Sequence, residues 1–249
     1  MISLKSPKDL IMLKRSGEIL ARVMQKLQVA LCPGITTLDI DLLSEELIRK
    51  EKALAAFKDY QGFPGTVCVS VNEEIVHGVP GSRVILEGDI VSIDLGVNYE
   101  GFFSDMAVTL PVGKVDSDRL KLIAVTKQSL ELGIKQAQVG NYLTDISHSI
   151  QSFVESQGFS VVRQFVGHGI GKALHEEPEI PNFGRPGLGP LLKNGMVLAI
   201  EPMINLGGWE CQISENGWTA VTLDGSPSAH FEHTVAVTDK GPVILTKLN

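Results

Sequence analysis

A predicted β-hairpin over residues 89–110 constrains this 249-residue chain more than any other stretch. Residues 90–95 are mostly apolar and β-branched, and they lead into residues 98–101, whose composition is typical of a tight turn. Residues 102–110 have the composition of a returning strand. The pattern therefore predicts two long antiparallel strands joined by a short turn.

The register of this hairpin decides where its two inner carboxylates lie. A turn centred between Tyr99 and Glu100 would place Asp94 opposite Asp105, with Cβ atoms roughly 5 Å apart. Two carboxylates so placed in an apolar strand repel each other, so either one is protonated or a cation lies between them. The hairpin therefore indicates a cation site, and an outward-facing, solvated Asp105 is the alternative.

Composition limits the class of protein. A chain with 43% hydrophobic residues can bury a large core in one domain or in two fused halves. The net charge of −7 and the lack of Lys/Arg runs disfavour nucleic-acid binding.

Cys32, Cys68 and Cys211 are widely spaced, which predicts a reducing compartment rather than a disulfide framework or a Cys-rich zinc site. With no signal pattern and no long apolar run, we expect a soluble cytoplasmic protein without a membrane segment.

Helical spacing, caps and stops predict the remaining elements. Four helices are predicted. The first begins at Ser6-Pro7 and stops at Cys32, and the second begins at Thr36 and runs through about Phe57. The third and fourth cover residues 119–138 and 145–157. The predicted strands cover residues 67–71, 160–165 and 196–204, with a loop over residues 72–81. Thr36 and Asp39 have the spacing of a capping box.

The order helix, helix, strands occurs twice along the chain. Gly34 and Asp39 recur as Gly140 and Asp145 at an offset of about 106 residues, which is too long for a solenoid repeat. The pattern predicts a single domain, residues 1–249, made of two similar halves near residues 1–113 and 114–249. Chance is the alternative, since glycines that end helices are common.

The repeat has a consequence for the acidic residues. The strand that carries Asp94 after Gly88 recurs after Gly195, where Glu201 takes the position of Asp94. A pseudo-twofold axis would then bring two acidic strands toward one central site. Glu201 lies in an otherwise apolar run, where a carboxylate is costly to bury unless it is paired or coordinated. The alternative is that Glu201 lies at the end of the strand and faces solvent.

Three further features add candidate ligands. Glu232 shares one strand face with Thr234, although a surface position would give the same alternation. His168 lies between two glycines, which would let the backbone bend sharply and an ion approach closely; a structural histidine is the alternative. His77 and His175 lie in predicted loops, where they could exchange protons or simply face solvent. Four carboxylates and one imidazole suit Mn, Fe, Co or Zn, and pairs of such ions catalyse hydrolysis.

Five ordered motifs resemble the type I methionine aminopeptidases along nearly the whole chain. They are Asn72-Glu73 with His77-Gly78-Val79-Pro80, Gly88-Asp89-Ile90-Val91 with Asp94, Gly167-His168-Gly169-Ile170-Gly171 with His175-Glu176-Glu177-Pro178, Ile200-Glu201-Pro202-Met203, and Glu232-His233-Thr234. The resemblance implies an α+β pita-bread fold, with two pseudo-twofold-related halves of paired helices and an antiparallel sheet around a central metal site. It also implies removal of the initiator methionine from nascent proteins whose second residue is small and uncharged.

The resemblance also implies a role for each site residue. The metal ligands would be Asp94, Asp105, His168, Glu201 and Glu232, holding two divalent ions (Co, Mn, Fe or Zn) whose bridging hydroxide attacks the scissile carbonyl. Glu201 would also shuttle a proton, His175 would contact the scissile peptide group, and His77 would steady the tetrahedral intermediate.

The resemblance further implies a binding pocket for the methionine side chain. Its walls would be Tyr60, Phe63, Cys68, His77 and Trp218. The chain departs from the common bacterial pattern at Phe57, Phe63, Leu174 and Phe183, which would alter the shape of the pocket and leave the ligands unchanged. A monovalent cation is expected near Asn72 and Ser228.

Two other functions fit part of the pattern. Prolidases and Xaa-Pro aminopeptidases share the fold and ligand set but usually carry an extra N-terminal domain, whereas this chain begins almost directly with the first helix. Non-catalytic pita-bread relatives typically lose ligands, and all five are present here. The expected partners are the N-terminal methionine of nascent chains and the ribosome, with a monomeric enzyme, no sequence-specific nucleic acid and no membrane.

Overall fold

The computed structural model describes residues 2–248, and within this range the chain forms helices flanking antiparallel sheets. The helices are α1 (Pro7–Ala30), α2 (Thr37–Lys50), α3 (Ser117–Gln136) and α4 (Leu143–Ser156). The strands are β1 (Leu54–Ala55), β2 (Cys68–Val71), β3 (Glu74–Val76), β4 (Ile90–Tyr99), β5 (Phe102–Pro111), β6 (Ser160–Val161), β7 (Gly167–Gly169), β8 (Glu176–Ile180), β9 (Val197–Ile200), β10 (Met203–Asn205), β11 (Cys211–Ile213), β12 (Ala220–Thr222), β13 (Ser228–His230), β14 (His233–Ala236) and β15 (Val243–Ile244).

Side-chain caps fix where the helices begin. The Ser6 hydroxyl oxygen accepts a hydrogen bond from the Asp9 amide at 3.2 Å, and the Asp9 carboxylate accepts one from the Ser6 amide at 2.9 Å. Thr36 and Asp39 form the predicted capping box at α2. The predicted end of α2 near Phe57 is wrong, because Lys52 turns to a φ of 58° and β1 pairs with β4 instead. The amides of Glu51, Lys52 and Ala53 still donate to carbonyls of the helix, and the Ala56 amide donates instead to the Gly96 carbonyl of β4 at 3.0 Å.

The hairpin of β4 and β5 is present, but the predicted register is wrong by two residues. Glu100 and Gly101, with φ values of 50° and 83°, form the two-residue turn. Asp94 therefore lies opposite Ala107, and Asp105 lies opposite Gly96. A shift of two positions leaves every side chain on its predicted face, because strand side chains alternate with a period of two.

Several other predicted bounds differ from the structure. Residues 196–204 form two strands, β9 and β10, interrupted at Glu201 and Pro202, and residues 160–165 form a strand only at β6. The predicted loop over residues 72–81 contains β3. Pro202 has no amide hydrogen to continue a ladder, and this explains a break beside it.

Corresponding hydrogen bonds recur in the two parts of the chain. The Gly34 amide donates to the Ile85 carbonyl at 2.8 Å, and the Gly140 amide donates to the Leu192 carbonyl at 3.0 Å. Both glycines have φ values above 90°, as do Gly88 and Gly195. The segments that precede α2 and α4 therefore have the same local structure. The exact division into halves at residue 113 stays a prediction.

The sheets pack between the helices, and their apolar side chains form the core. The main sheet has the order β1-β4-β2, with β5 on β4, and a five-stranded sheet has the order β15-β14-β9-β7-β8. α1 packs on β4 and β5, while α3 packs on α4. Leu20 and Met24 of α1 are fully buried in the same core as Ile93 of β4. Among residues 2–248, the helices are too short or too polar to span a bilayer.

Candidate active site

One cavity of about 290 Å³ lies between the two sheets. All the side chains predicted for the site line it: Tyr60, Phe63, Cys68, His77, Asp94, Asp105, His168, His175, Glu201, Trp218 and Glu232. Phe57 and Leu174 also line the cavity. Phe183 packs instead against the main core, so its replacement does not shape the cavity directly.

The carboxylates come from both sheets and are held by backbone contacts. Asp105 on β5 is clamped by Thr234 of β14, whose hydroxyl accepts from the Asp105 amide at 2.9 Å and donates to its carbonyl at 2.8 Å. The amide of Glu232 donates to the Ala107 carbonyl at 2.9 Å. These bonds join the two sheets at the point where the carboxylates converge.

Glu201 and Glu232 lie at neighbouring strand ends. Ile200 pairs with His233 across β9 and β14, so the residue after one strand lies beside the residue before the other. The Asn182 side-chain amide donates to the Glu201 carbonyl at 2.9 Å and holds its backbone. Neither residue is on the surface, since the side chain of Glu201 is 14% exposed and Glu232 is 2% exposed.

Burial dominates the electrostatics of these carboxyl groups. It raises the pKa of Asp94 to about 7. Burial, followed by the charge of neighbouring carboxylates, raises the pKa of Asp105, Glu201 and Glu232 well above the ordinary range. Among residues 2–248, Asp94 Oδ1 and Glu232 Oε1 have no hydrogen-bond partner although both atoms are buried. Cations among these oxygens would satisfy both the charge and the missing contacts.

His168 has one ring nitrogen free for a ligand. Its Nδ1 donates to the Gly169 carbonyl at 2.8 Å, which places the proton on Nδ1 and leaves the lone pair on Nε2. Burial lowers the pKa of His168 to about 3, so the ring is neutral at physiological pH. Asp105, His168 and Glu232 each offer one ligand atom, and these atoms lie within 4.8 Å of one another. This donor set fits a divalent ion.

The glycines beside His168 serve close packing and not a sharp bend. Gly167, His168 and Gly169 form strand β7, so the predicted bent loop is wrong at this position. A Cβ atom on Gly167 would overlap the Ala199 carbonyl oxygen, and one on Gly169 would overlap the Glu177 carbonyl oxygen. Glycine lets β8 and β9 lie close enough to fix the His168 ring in the cavity.

Replacing Gly169 by alanine should destabilise the protein by about 3 kcal/mol, since the added methyl group has to displace backbone. Urea unfolding followed by circular dichroism measures this change. Gly81→Ala is the matched control, because a Cβ atom there meets no atom within 4 Å. Equal stability of the two variants would contradict the packing explanation.

The other predicted histidines lie on the cavity wall. The hydroxyl of Tyr60 is hydrogen bonded to Nδ1 of His175 at 2.8 Å, which orients an otherwise exposed ring. The rings of His168 and His175 are 4.3 Å apart. His77 stacks edge-on against Phe165 at 5.4 Å, and burial lowers its pKa to about 4. Each ring is therefore positioned by an aromatic neighbour or a hydrogen bond.

One end of the cavity is aromatic and apolar. Phe63 and Trp218 meet edge to face with ring centres 5.3 Å apart. Cys68 lies opposite Asp94 in the pairing of β2 with β4, and burial raises the pKa of its thiol, so it stays neutral. These side chains form a soft apolar wall directly beside the carboxylates.

Asn72 and Ser228, the residues predicted beside a monovalent cation, lie in direct contact. The Ser228 amide donates to the Asn72 carbonyl at 2.8 Å, and Asn72 adopts a φ of 58°. The Asn72 side chain bonds Asp89 at 2.8 Å and accepts from the Ile90 amide at 3.1 Å. The predicted pair is thus joined by a backbone hydrogen bond, with Asn72 in the turn between β2 and β3 and Ser228 on β13.

Sequence reasoning missed several residues around the carboxylates. Asn182 and Phe165 gave no signal in the sequence, because their partners are distant along the chain. His230 could have been found, since it precedes Glu232 by two positions and the local alternation favours the same face. It is fully buried, and its Nε2 lies 3.7 Å from Glu201 Oε2.

Comparisons with known proteins agree with this site. The model of metallopeptidase family M24 matches residues 12–239. The methionine aminopeptidase of Clostridium acetobutylicum is 50% identical over 247 residues, 99% of each chain. The crystal structure of methionine aminopeptidase from Thermotoga maritima superposes with a TM-score of 0.98 at 47% identity and covers 100% of both chains.

The chain also has the fold of a prolidase, although the two sequences are much less similar. The prolidase of Pyrococcus furiosus has a TM-score of 0.81 at 21% identity, and the match covers 99% of this chain and 66% of that one. At this identity the likeness shows the fold alone, and it is consistent with the predicted pita-bread fold, which the family match confirms. Because the family model matches residues 12–239 and a methionine aminopeptidase is 50% identical over 99% of each chain, the chain belongs to metallopeptidase family M24 and, within it, to the methionine aminopeptidases.

Proposed function

We propose that this chain removes an N-terminal methionine from proteins whose second residue is small and uncharged. The observation that carries the proposal is the cavity itself. Four buried carboxyl groups with raised pKa values and a neutral imidazole share it with an apolar aromatic wall. Charged ligands for hydrolytic metal ions thus lie next to a pocket suited to a thioether side chain.

Asp94, Asp105, His168, Glu201 and Glu232 would hold two divalent ions, with Co, Mn, Fe and Zn as candidates. The unpartnered oxygens of Asp94 and Glu232 and the free Nε2 of His168 support this assignment. Such ions would acidify a water molecule and polarise the scissile carbonyl. A monovalent cation near Asn72 and Ser228 is a further part of the proposal, supported by the contact between these residues.

The protein side chains would handle protons and the substrate backbone. Glu201 would take the proton from the attacking water and return it to the leaving amine, because its carboxyl group lines the cavity beside the other candidate ligands. His175 would bind the scissile carbonyl or nitrogen, with its ring held by Tyr60. His77 would stabilise the tetrahedral oxyanion. Phe63, Cys68 and Trp218 would enclose the methionine side chain, together with Tyr60 and His77.

We further infer a cytoplasmic monomer acting on nascent chains at the ribosome. The three free cysteines, Cys32, Cys68 and Cys211, are compatible with a reducing compartment. Direct contact with the ribosome and the oligomeric state stay predictions.

Peptide hydrolysis tests the proposed substrate class. The Mn-loaded protein should cleave Met-Ala-Ser with a kcat/KM at least a hundredfold above that for Ala-Pro, because only methionine fills the apolar pocket. Met-Leu-Ser should be cleaved much more slowly than Met-Ala-Ser. Preference for Ala-Pro would favour a prolidase-type activity, and the absence of any cleavage with metal bound would favour a binding protein.

A further inference from the structure

His230 is a buried histidine without any hydrogen bond from its ring. It is 1% exposed, and neither Nδ1 nor Nε2 has a hydrogen-bond partner within the part of the chain that the structure describes. Buried polar atoms are nearly always satisfied, so an imidazole with two unsatisfied nitrogens needs an explanation. The side chain does not line the cavity, whereas Glu201 beside it does. His230 is therefore placed to act through another residue and not on substrate.

The backbone of His230 is fixed on both sides by one side chain. Its amide donates to Thr109 Oγ1 at 2.8 Å, and the Thr109 hydroxyl donates to the His230 carbonyl at 2.8 Å. Ser92 contacts the same hydroxyl at 2.8 Å, so the clamp extends across β4 and β5. Met203 pairs with His230 across β10 and β13, two positions beyond Glu201. The ring thus extends from a rigid strand end close to Glu201.

The Glu201 carboxylate lies between two imidazoles. Its Oε1 is 3.5 Å from Nε2 of His168, and its Oε2 is 3.7 Å from Nε2 of His230. The two oxygens therefore face different partners. If one oxygen is to meet a metal ion near His168, the other has to be kept away from it, and His230 is the group on that side.

We propose that His230 is a positioning residue for Glu201: its Nε2–H donates to Oε2 and keeps Oε1 directed toward the ion that His168 would bind. This inference rests on the proposed function and adds a residue to it. Partners that orient a metal-ligating carboxylate typically change metal affinity 10- to 100-fold when they are removed. A small shift of the ring would bring the 3.7 Å contact within hydrogen-bonding distance.

Four variants test the role. His230→Leu removes the donor and keeps the bulk, His230→Asn places an amide too short to reach Glu201, and His230→Gln places an amide that reaches it. His233→Gln is the control, because His233 is also on a buried strand but bonds Thr246 at 2.9 Å instead of a carboxylate. Mn affinity by isothermal titration calorimetry is the main measurement, and steady-state hydrolysis of Met-Ala-Ser is the second.

We expect the Leu and Asn variants to bind the tighter Mn ion at least tenfold more weakly and to lose kcat with KM within about twofold. The Gln variant should recover both quantities to within about threefold, and a purely structural role for His230 would not give this rescue. Far-UV circular dichroism establishes that each variant is folded, and the Asn and Gln pair carries the test if Leu does not fold.

Wild-type Mn affinity in both the Leu and Asn variants would overturn the inference, and so would equal loss in Asn and Gln. In each case a wild-type protein that binds Mn and cleaves Met-Ala-Ser leaves the proposed function standing. A wild-type protein that binds no Mn would remove the proposed function and the role of His230 together.

Discussion

Asp105→Asn should lower kcat/KM for Met-Ala-Ser by about a thousandfold or more, the loss expected when roughly 4 kcal/mol of metal-dependent stabilisation disappears. Asp105 is the carboxylate that lies near both His168 and Glu232. Asparagine keeps its shape but loses the charge and one oxygen. The Thr234 clamp bonds only the backbone of residue 105, so the fold should be retained.

Metal content and stability separate this effect from misfolding. Plasma emission analysis should find less metal in Asp105→Asn than in the wild type. The metal-free variant should be at least as stable as metal-free wild type, since an amide in place of a carboxyl group with a raised pKa removes repulsion from Asp94. Asp118→Asn is the control, because Asp118 is exposed on α3. Wild-type turnover by Asp105→Asn would refute the ligand assignment.

Mn binding should stabilise the protein more at pH 8 than at pH 6. In the metal-free protein, burial raises the pKa of Asp94 to about 7 and raises the pKa of Asp105 well above its ordinary range, so the folded state holds protons that the unfolded state has released. Stability of the metal-free protein therefore falls as pH rises from about 4 through these raised pKa values. Mn replaces those protons, and fewer have to be displaced at pH 8.

Differential scanning calorimetry with and without Mn measures this gain. With the same free Mn concentration at both pH values, a thousandfold above the Kd at pH 8, the expected stabilisation at pH 8 is about 4 kcal/mol for one ion, and a chelator should reverse it. His168 is neutral at both pH values in the folded state, because its pKa is lowered to about 3, and its titration on unfolding cancels in the difference. Asp105→Asn should show a smaller gain at both pH values. An equal or larger gain at pH 6 would contradict proton displacement from the carboxyl groups.

Local signals in the sequence predict most element starts and the faces of the long strands. Ser6 and Thr36 begin helices because their side chains and those of Asp9 and Asp39 satisfy free amides within three residues. The hairpin register was wrong by two, yet Asp94 and Asp105 still face one cavity because strand faces repeat every two residues. The end of α2 was missed, since pairing of β1 with β4 depends on a distant segment.

Site residues could be predicted from the sequence where their type is unusual for the segment in which they occur. Carboxylates in apolar strands are conspicuous, and the structure brings Asp94, Glu201 and Glu232 to the same cavity. What holds them is not visible in the sequence: Thr234 clamps Asp105 from 129 residues away, and Glu201 lies next to His230 only through the pairing of β10 with β13. The sequence also does not show why residue 169 is a glycine, because the carbonyl oxygen that a Cβ atom would overlap there belongs to Glu177 on β8.

Anomalous diffraction at the Mn edge from crystals soaked in Mn would show directly whether the carboxylates and His168 hold a pair of metal ions. We expect two strong peaks roughly 3.5–4 Å apart, in contact with oxygens of Asp94, Asp105, Glu201 and Glu232 and with Nε2 of His168. Crystals with no anomalous peak in this cavity, or with Mn bound only elsewhere on the protein, would contradict it.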